Sequence, residues 1–456
     1  MHPRLAHDLA ALPELLENTR GLAEQVLAGL GDRPVAPHPP FPAPDPLPGG
    51  GAGLAGALEK FAQRWEPGFS GSAGPRYLGF VTGGTTPAAL AGDWLTGVFD
   101  QNNTSGADTS AVALERETVG WLRELLGLSP EHTGAFVAGA TASNFTGLAI
   151  AREWLGEQRG VRVGQSGVAA LGDFEVLSCT PHASIPKALS MLGAGRDRLR
   201  RLPAQPGREA VDLGALRAAL EEQQGRPAIV VANAGTVNTT DFDDLRAIAA
   251  MRAEFPFWLH VDAAFGGFAA LSPGHAHLVD GIAEADSVCV DLHKWLNVPY
   301  DAAVQFSRRR DLQVAVFQNS AAYLGVPEGE PDFLHLTPDN SRRLRALAAW
   351  FSLTAYGVEG HRDIVTRNIA SARALAGKLA TLQGVRVFEP VRLNVVCFTV
   401  PGDTLRVVRA IAETGEAFLT PTVHEGGPAI RAAFSNWRTT DADVDRVFAA
   451  VRKVLT

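Results

Sequence analysis

In this 456-residue chain a lysine, an aspartate and a histidine each stand at the end of a short apolar run. Lys294 follows the run Asp286–Leu292 and is flanked by His293 and Trp295. A lysine placed there, rather than on a polar helix face, is a candidate for burial. Burial depresses the amine pKa and frees its lone pair for attack on a carbonyl carbon. The plainer alternative is a strand-end lysine that snorkels to water. Asp262 ends the apolar run that begins at Phe257. A carboxylate in such surroundings is costly without a partner, either a protonated heterocyclic nitrogen or a metal. The alternative is an ordinary strand-end cap. His182 follows the run 175–180 and offers a base or a flat stacking surface, or is a satisfied loop histidine. Gly139-Ala140-Thr141-Ala142-Ser143-Asn144 opens a helix after the run 134–139. Its small residues, hydroxyls and free backbone N–H groups suit a phosphate, where the alternative is a plain N-cap. Together the four features fit a flat, phosphorylated, aldehyde-bearing ring with a basic nitrogen, which describes pyridoxal 5'-phosphate.

Few residues compete with Lys294. The chain holds five lysines (Lys60, Lys187, Lys294, Lys378 and Lys453) among 41 basic side chains. The rest are arginines, which stay protonated in proteins and cannot attack a carbonyl. Lys187 is the one rival close to another candidate, five positions after His182 in what reads as a helix start.

Elements that place these residues at strand ends are legible upstream of them. The nearly continuous apolar runs 134–139, 175–180, 227–234, 257–264, 286–292 and 302–307 suit strands covered on both faces. Helix-length segments at 142–157, 212–223 and 243–254 separate several of them. This alternation predicts an α/β fold with a mostly parallel central sheet, whose functional residues gather at the strands' C-terminal ends. The pattern restarts near residue 340. Helices at 342–355 and 364–382, strand-like stretches and a helix at 403–413 predict a small α+β C-terminal domain. Before residue 75, apolar positions at helical spacing (4–30) precede eight prolines between Pro34 and Pro48, an extended linker rather than a core. The division expected is a helical arm and linker over 1–75, a large domain over 76–335 and a small one over 336–456.

Composition excludes other classes. The net charge of −8 and pI of about 5.9 argue against nucleic-acid or anionic-membrane binding. Cys179, Cys289 and Cys397 are odd in number and widely spaced, so neither a disulfide framework nor a zinc ribbon is expected, and a reducing cytoplasm is the simplest compartment. The acidic residues and lack of a long apolar stretch at the N-terminus do not suit a signal peptide. No apolar run reaches membrane-spanning length. GxGxxG after a strand, GxxxxGK[ST], GxSxG and HExxH are absent.

Asp286–Trp295 (DSVCVDLHKW) resembles the lysine motif of the PLP-dependent group II amino acid decarboxylases, which include aromatic-L-amino-acid, tyrosine, glutamate and diaminobutyrate decarboxylases. Four more ordered segments are similar to that family: 75–95, 139–152, 177–189 and 258–267, followed by 341–360 on the helix leading into the small domain. The resemblance implies a fold type I, aspartate aminotransferase-like enzyme working as a homodimer with active sites at the interface. It implies decarboxylation of an L-amino acid to the amine and CO2, with Lys294 forming the Schiff base, Asp262 on the pyridine nitrogen and His182 stacked on the ring. It carries further cofactor contacts onto Ala264, Ala140, Thr141, Ala142, Ser143, Asn144, His293, Thr236 and Asn238.

Some positions depart from the family pattern. A mobile-loop tyrosine that helps protonate Cα in the aromatic decarboxylases falls on Phe333, within the loop 321–338. Loss of that hydroxyl implies either replacement by Tyr323 or His335, or partial conversion to an aldehyde synthase. Val237 stands where the family has a hydroxyl, and Asn238 is either a substitute donor or a turn residue. Three other functions share parts of the pattern. An aminotransferase would use Arg431 or Arg438 for the substrate carboxylate. A cysteine desulfurase would need Cys289 or Cys397 to be mobile. A PLP-fold binding module would lack turnover. Residues 77–103 are expected on the substrate side, where Tyr77, Phe80 and Phe99 favour an aromatic side chain or simply pack.

Overall fold

Runs of valine, isoleucine and leucine build the central sheet from β1 (Thr133–Val137), β2 (Val176–Ser178), β3 (Leu199–Arg201), β4 (Ala228–Asn233), β5 (Phe257–Asp262), β6 (Ser287–Asp291) and β7 (Ala303–Ser307). The structure, a computed structural model, describes residues 1–37, 42–319 and 330–456. Strand order is β1-β7-β6-β5-β4-β2-β3. Every neighbouring pair is parallel except those made by β7, which runs against both β1 and β6. Strands β4 to β7 are buried along their whole length, the reason they read as unbroken apolar runs. The edge strand β3 is half exposed and carries Arg200 and Arg201, so apolar runs do not reveal it.

A second, antiparallel sheet combines β8 (Arg386–Val387), β9 (Val395–Thr399), β10 (Thr420–His424) and β11 (Gly427–Ala433) in the order β10-β11-β9-β8. Strand β10 carries Pro421 and alternates between buried and exposed positions, the mark of an edge. Glu425 and Gly426 join it to β11, both at positive φ (50° and 74°), which matches a two-residue hairpin turn.

Helices α1 (Pro3–Ala10), α2 (Leu12–Ala28) and α3 (Gly53–Arg64) precede the first sheet strand. Next come α4 (Pro87–Phe99), α5 (Ala111–Leu125) and α6 (Ala140–Gln158). The two helices expected over 342–355 and 364–382 are one element, Ala346–Leu379, broken only at Gly357 (φ 57°). Helix α4 lies so close against it that a Cβ on Gly92 would stand 2.8 Å from the Leu347 carbonyl oxygen.

A fully buried ion pair braces the start of the long helix. Arg342 Nη2 donates to Glu115 Oε1 at 2.7 Å, Nη1 to the Phe136 carbonyl and Nε to the Asn103 carbonyl. The same carboxylate oxygen accepts the Phe136 N–H at 3.0 Å. One arginine thereby ties α5, β1 and the segment around Asn103 together.

Three histidines give the fold an acid limit. Burial draws His132, His260 and His361 from the ordinary 6.5 down to about 4. Below pH 6.5 the unfolded chain takes up protons that the folded chain refuses, so folding stability falls as pH drops towards 4. Asp243 opposes this. Buried and without a cation, it is pushed up to about 6, so the folded chain takes up one proton that the unfolded carboxylate leaves in water. The buried histidines outnumber the aspartates Asp243 and Asp286, whose pKa values are raised by desolvation, so the net effect is a loss of stability between pH 6 and 4. Urea midpoints at pH 7, 6 and 5 should fall steeply in that order. A flat series would contradict the burial of the three rings.

Candidate active site

The C-terminal ends of β4, β5 and β6 open onto one cavity of about 260 Å³. Lys294, Asp262, His182, Ala140, Ala264 and Thr236 line it, six residues expected there from sequence. Lys294 sits in the short helix Leu292–Trp295 directly after β6. Its Nζ lies 3.4 Å from Asp291 Oδ2 and over the Phe265 ring, 5.6 Å from the centroid. The segment 81–84 closes on the lysine from the other side. A Cβ on Gly83 would overlap the Lys294 carbonyl oxygen, so only glycine permits this approach.

Asp262, 7% exposed at the end of β5, accepts from Asn144 Nδ2 at 2.9 Å and from the Ala264 N–H at 3.2 Å. No cationic side chain pairs with it among the described residues. His182 stands in the turn after β2, exposed at the cavity wall. Desolvation holds its pKa below the ordinary value, and the charges of Lys294 and Arg431 add to that shift. Its Nδ1 accepts the Ser184 N–H.

Several expected contacts lie elsewhere. Ser143 is fully buried and donates to the Val304 carbonyl. Asn144 is also fully buried, one layer behind the wall. Thr141 and Ala142 occupy the first turn of α6, half-buried and outside the cavity lining. His293 is not on the wall either. Its Nδ1 accepts the Ala302 N–H at 3.3 Å and its ring lies beside Gly139, the residue that opens α6. Asn238 is a fastening residue, not a cofactor donor. Its amide donates to Glu209 and to the Val423 carbonyl, and accepts from Thr422, pinning the turn to β10.

The loop assignments also change. Phe333 is 2% exposed, packed with Val112, Ala135 and Leu336 under the Arg342 guanidinium, 4.5 Å from its ring centroid. It is a core side chain here, not a position carried by a moving loop. His335 is buried, accepts the Asn319 N–H at 3.1 Å, and takes no part in the cavity. Tyr323 lies outside the described residues. Lys187 is exposed on the helix Ser184–Met191 and absent from the wall. Of the substrate-side aromatics only Phe80 reaches the cavity. Tyr77 stacks on Phe418 at 4.5 Å, and Phe99 is 64% exposed on α4. Cys289 and Cys397 are fully buried strand residues with raised pKa values, unlike a mobile sulfur carrier.

Asn233, Tyr300 and Arg431 also line the wall, none of them expected there as a cofactor contact. Asn233 ends β4 and Tyr300 follows the lysine motif, its ring 4.2 Å from that of His293. Asp291 stands behind Lys294 and was readable as the acid three residues before it. Arg431 is a residue that an aminotransferase would turn to the substrate carboxylate. It is 7% exposed and donates to the Val237 and Phe80 carbonyls at 2.6 and 2.9 Å, holding Phe80 at an unusual positive φ of 61°. Desolvation draws it down to about 10, so it keeps its charge at neutral pH. Arg438 stacks on Trp437 away from the cavity.

The model of the pyridoxal-dependent decarboxylase conserved domain matches residues 55–401. The chain belongs to the pyridoxal-dependent decarboxylase family. It is 28% identical over 397 residues to an aromatic-L-amino-acid decarboxylase from Bacillus atrophaeus, covering 83% of this chain and 80% of that one. It is 31% identical over 269 residues to a 3,4-dihydroxyphenylacetaldehyde synthase from Drosophila melanogaster, covering 57% and 52%. The crystal structure of Oryza sativa TDC with PLP and tryptamine superposes with a TM-score of 0.89 at 21% identity, covering 98% of each chain. This decarboxylase therefore has the fold type I architecture, and its cofactor is pyridoxal 5'-phosphate.

The cavity of the decarboxylase fits that group. An amine free of any backbone bond stands at one end. A buried carboxylate with no cation of its own is the counterpart of a protonated ring nitrogen. The first N–H groups of the 19-residue helix α6 have no intrahelical acceptor and suit a phosphate. Among the described residues no helix of the decarboxylase is long and apolar enough to cross a membrane.

Proposed function

We propose that this decarboxylase acts on an aromatic L-amino acid. In this reading Lys294 takes the cofactor carbonyl, Asp262 its ring nitrogen, His182 one ring face and the start of α6 its phosphate. The observation that carries it is the meeting of Lys294, Asp262 and His182 on one cavity whose wall also holds Phe80, Phe265 and Tyr300. Among the described residues Arg431 is the one other fixed positive charge on that wall and would receive the substrate carboxylate.

Bound pyridoxal phosphate supplies the electron sink for the pair left on Cα when CO2 departs. The chain supplies everything else. The Asp262 carboxylate would pair with the ring nitrogen and favour its protonated form. Arg431 and the aromatic wall orient the Cα–carboxylate bond. The Lys294 amine, on the cavity wall, would be the group positioned to pass a proton to the substrate. Measured CO2 release across an amino acid panel should favour aromatic L-amino acids. Preference for a diamino or acidic substrate would defeat the aromatic assignment and leave the reaction class standing.

A second product is favoured by Phe333, a core side chain at the position where the family resemblance expects the protonating tyrosine. Uptake of a proton at Cα gives the amine. Uptake of O2 and water instead gives the aldehyde, ammonia and hydrogen peroxide beside CO2. Tyr300 is the phenol on the cavity wall and would favour protonation. The Tyr300→Phe variant should raise the aldehyde and peroxide share under air and lose that gain under nitrogen. An unchanged product ratio in air would remove Tyr300 from proton delivery.

The homodimer expected for the family is supported by exposed apolar side chains on three helices. These are Leu5, Leu9 and Leu16 on α1 and α2, and Trp94, Val98 and Phe99 on α4. Sedimentation should show a dimer at micromolar concentration, and a monomer would contradict it. A cytoplasmic location agrees with three free, buried cysteines.

A further inference from the structure

Behind Asp262 lies a chain of buried hydrogen bonds with one consistent direction. Trp258 Nε1 donates to Ser287 Oγ at 2.9 Å, and Ser287 Oγ lies 2.7 Å from His260 Nδ1. His260 Nε2 lies 2.9 Å from Asn144 Oδ1, an atom that can only accept. The ring proton of His260 therefore sits on Nε2, and the serine donates to Nδ1. Asn144 then spends both amide hydrogens, on Asp262 Oδ2 and on Ser184 Oγ, each at 2.9 Å. Ser184 Oγ is 2.8 Å from His182 Nδ1, which already accepts the Ser184 N–H. The serine hydroxyl thus donates to His182, whose own proton is left on Nε2.

We infer that Asn144 is a positioning residue through which His260 holds both Asp262 as a hydrogen-bond acceptor and His182 in a single tautomer. The inference rests on the cofactor reading above. Every hydrogen in the network has a donor and an acceptor, so reversing the Asn144 amide would break three bonds at once. Helix α6 makes room for it. Gly147 lies over His260, and a Cβ there would stand 2.6 Å from the imidazole Cε1. Asn144, Ser184 and His260 are buried and do not line the cavity, so their service to the site passes through Asp262 and His182.

The titratable and charged groups around the Asp262–His182 pair come from several elements. His260 on β5, His182 after β2 and the Cys289 thiol on β6 face Asp262, and Asp291 at the end of β6, Lys294 after it and Arg431 on β11 face His182. An Asn144→Asp variant would add a carboxylate where a donor stood. It should bind pyridoxal phosphate roughly tenfold more weakly, the effect of one lost hydrogen bond to a charge. That weakening should deepen as pH rises from 6 to 8, while the parent stays flat. His260→Gln keeps an N–H within reach of Asn144 Oδ1 and should retain parental affinity, while His260→Leu should lose it. Titration of the cofactor-free proteins with pyridoxal phosphate, read by fluorescence quenching, measures all three. Circular dichroism confirms that each is folded. Equal affinity for His260→Gln and His260→Leu, with both folded, would overturn the relay. Should Asn144→Asp not fold, that pair decides alone. Failure of the relay with Lys294→Ala still losing the cofactor would leave the cofactor reading intact.

Discussion

Lys294→Ala is expected to lower CO2 release by at least ~10³-fold and to abolish the visible absorbance band of lysine-bound cofactor. Two losses combine. The chain loses its attachment point for the cofactor carbonyl, and it loses the amine beside Cα. Lys187→Ala should leave both signals unchanged, since that side chain is exposed and off the cavity wall. Retention of the band in Lys294→Ala, or its loss in Lys187→Ala, would overturn the site assignment. Added primary amines should restore part of the rate to Lys294→Ala if its second duty is proton transfer.

The second large effect concerns stability. Glu115→Ala would strand the Arg342 guanidinium among buried carbonyls and remove the acceptor of the Phe136 N–H. Breaking one side of a buried pair costs about 3–5 kcal/mol, because a charge is left without compensation. The thermal midpoint should drop by several degrees. The double replacement Glu115→Leu with Arg342→Met should be milder than either single change, since it removes the orphaned charge as well. A double variant as unstable as the sum of the singles would show that the bracket acts by shape and not by charge.

Much of this fold was readable because its strands are buried on both faces. The runs ending at Asp262 and before Lys294 are continuous apolar stretches, and the residues closing them stand out by contrast. The polar edges β3 and β10 were not readable, because Arg200, Arg201, Pro421 and Thr422 satisfy no apolar template. The site divides in the same way. Lys294, Asp262 and His182 lie at strand ends in single short motifs. Arg431 reaches the cavity from 137 positions after Lys294, and only the packing of the two sheets brings it there. Asn144 was assigned to the phosphate by its place in the helix start. A helix brings its fifth residue back to the face of its first but one turn further along the axis, so that amide lies deeper, against the sheet, and away from the open helix end. Phe333 shows that matching a loop position by spacing alone does not reveal whether its side chain is free to move.

Arg431 holds the carbonyls of Phe80 and Val237 together, and Asn238 is fastened to Thr422 and Val423. Three stretches separated by hundreds of residues in the chain therefore share the walls of one pocket. Substrate preference is then a joint property that no single stretch owns. A chimera that imported residues 77–103 from a relative with another substrate would seat Phe80's replacement against a foreign arginine clamp. Transplanting preference should require that segment, the 235–238 turn and the 420–431 hairpin to travel together.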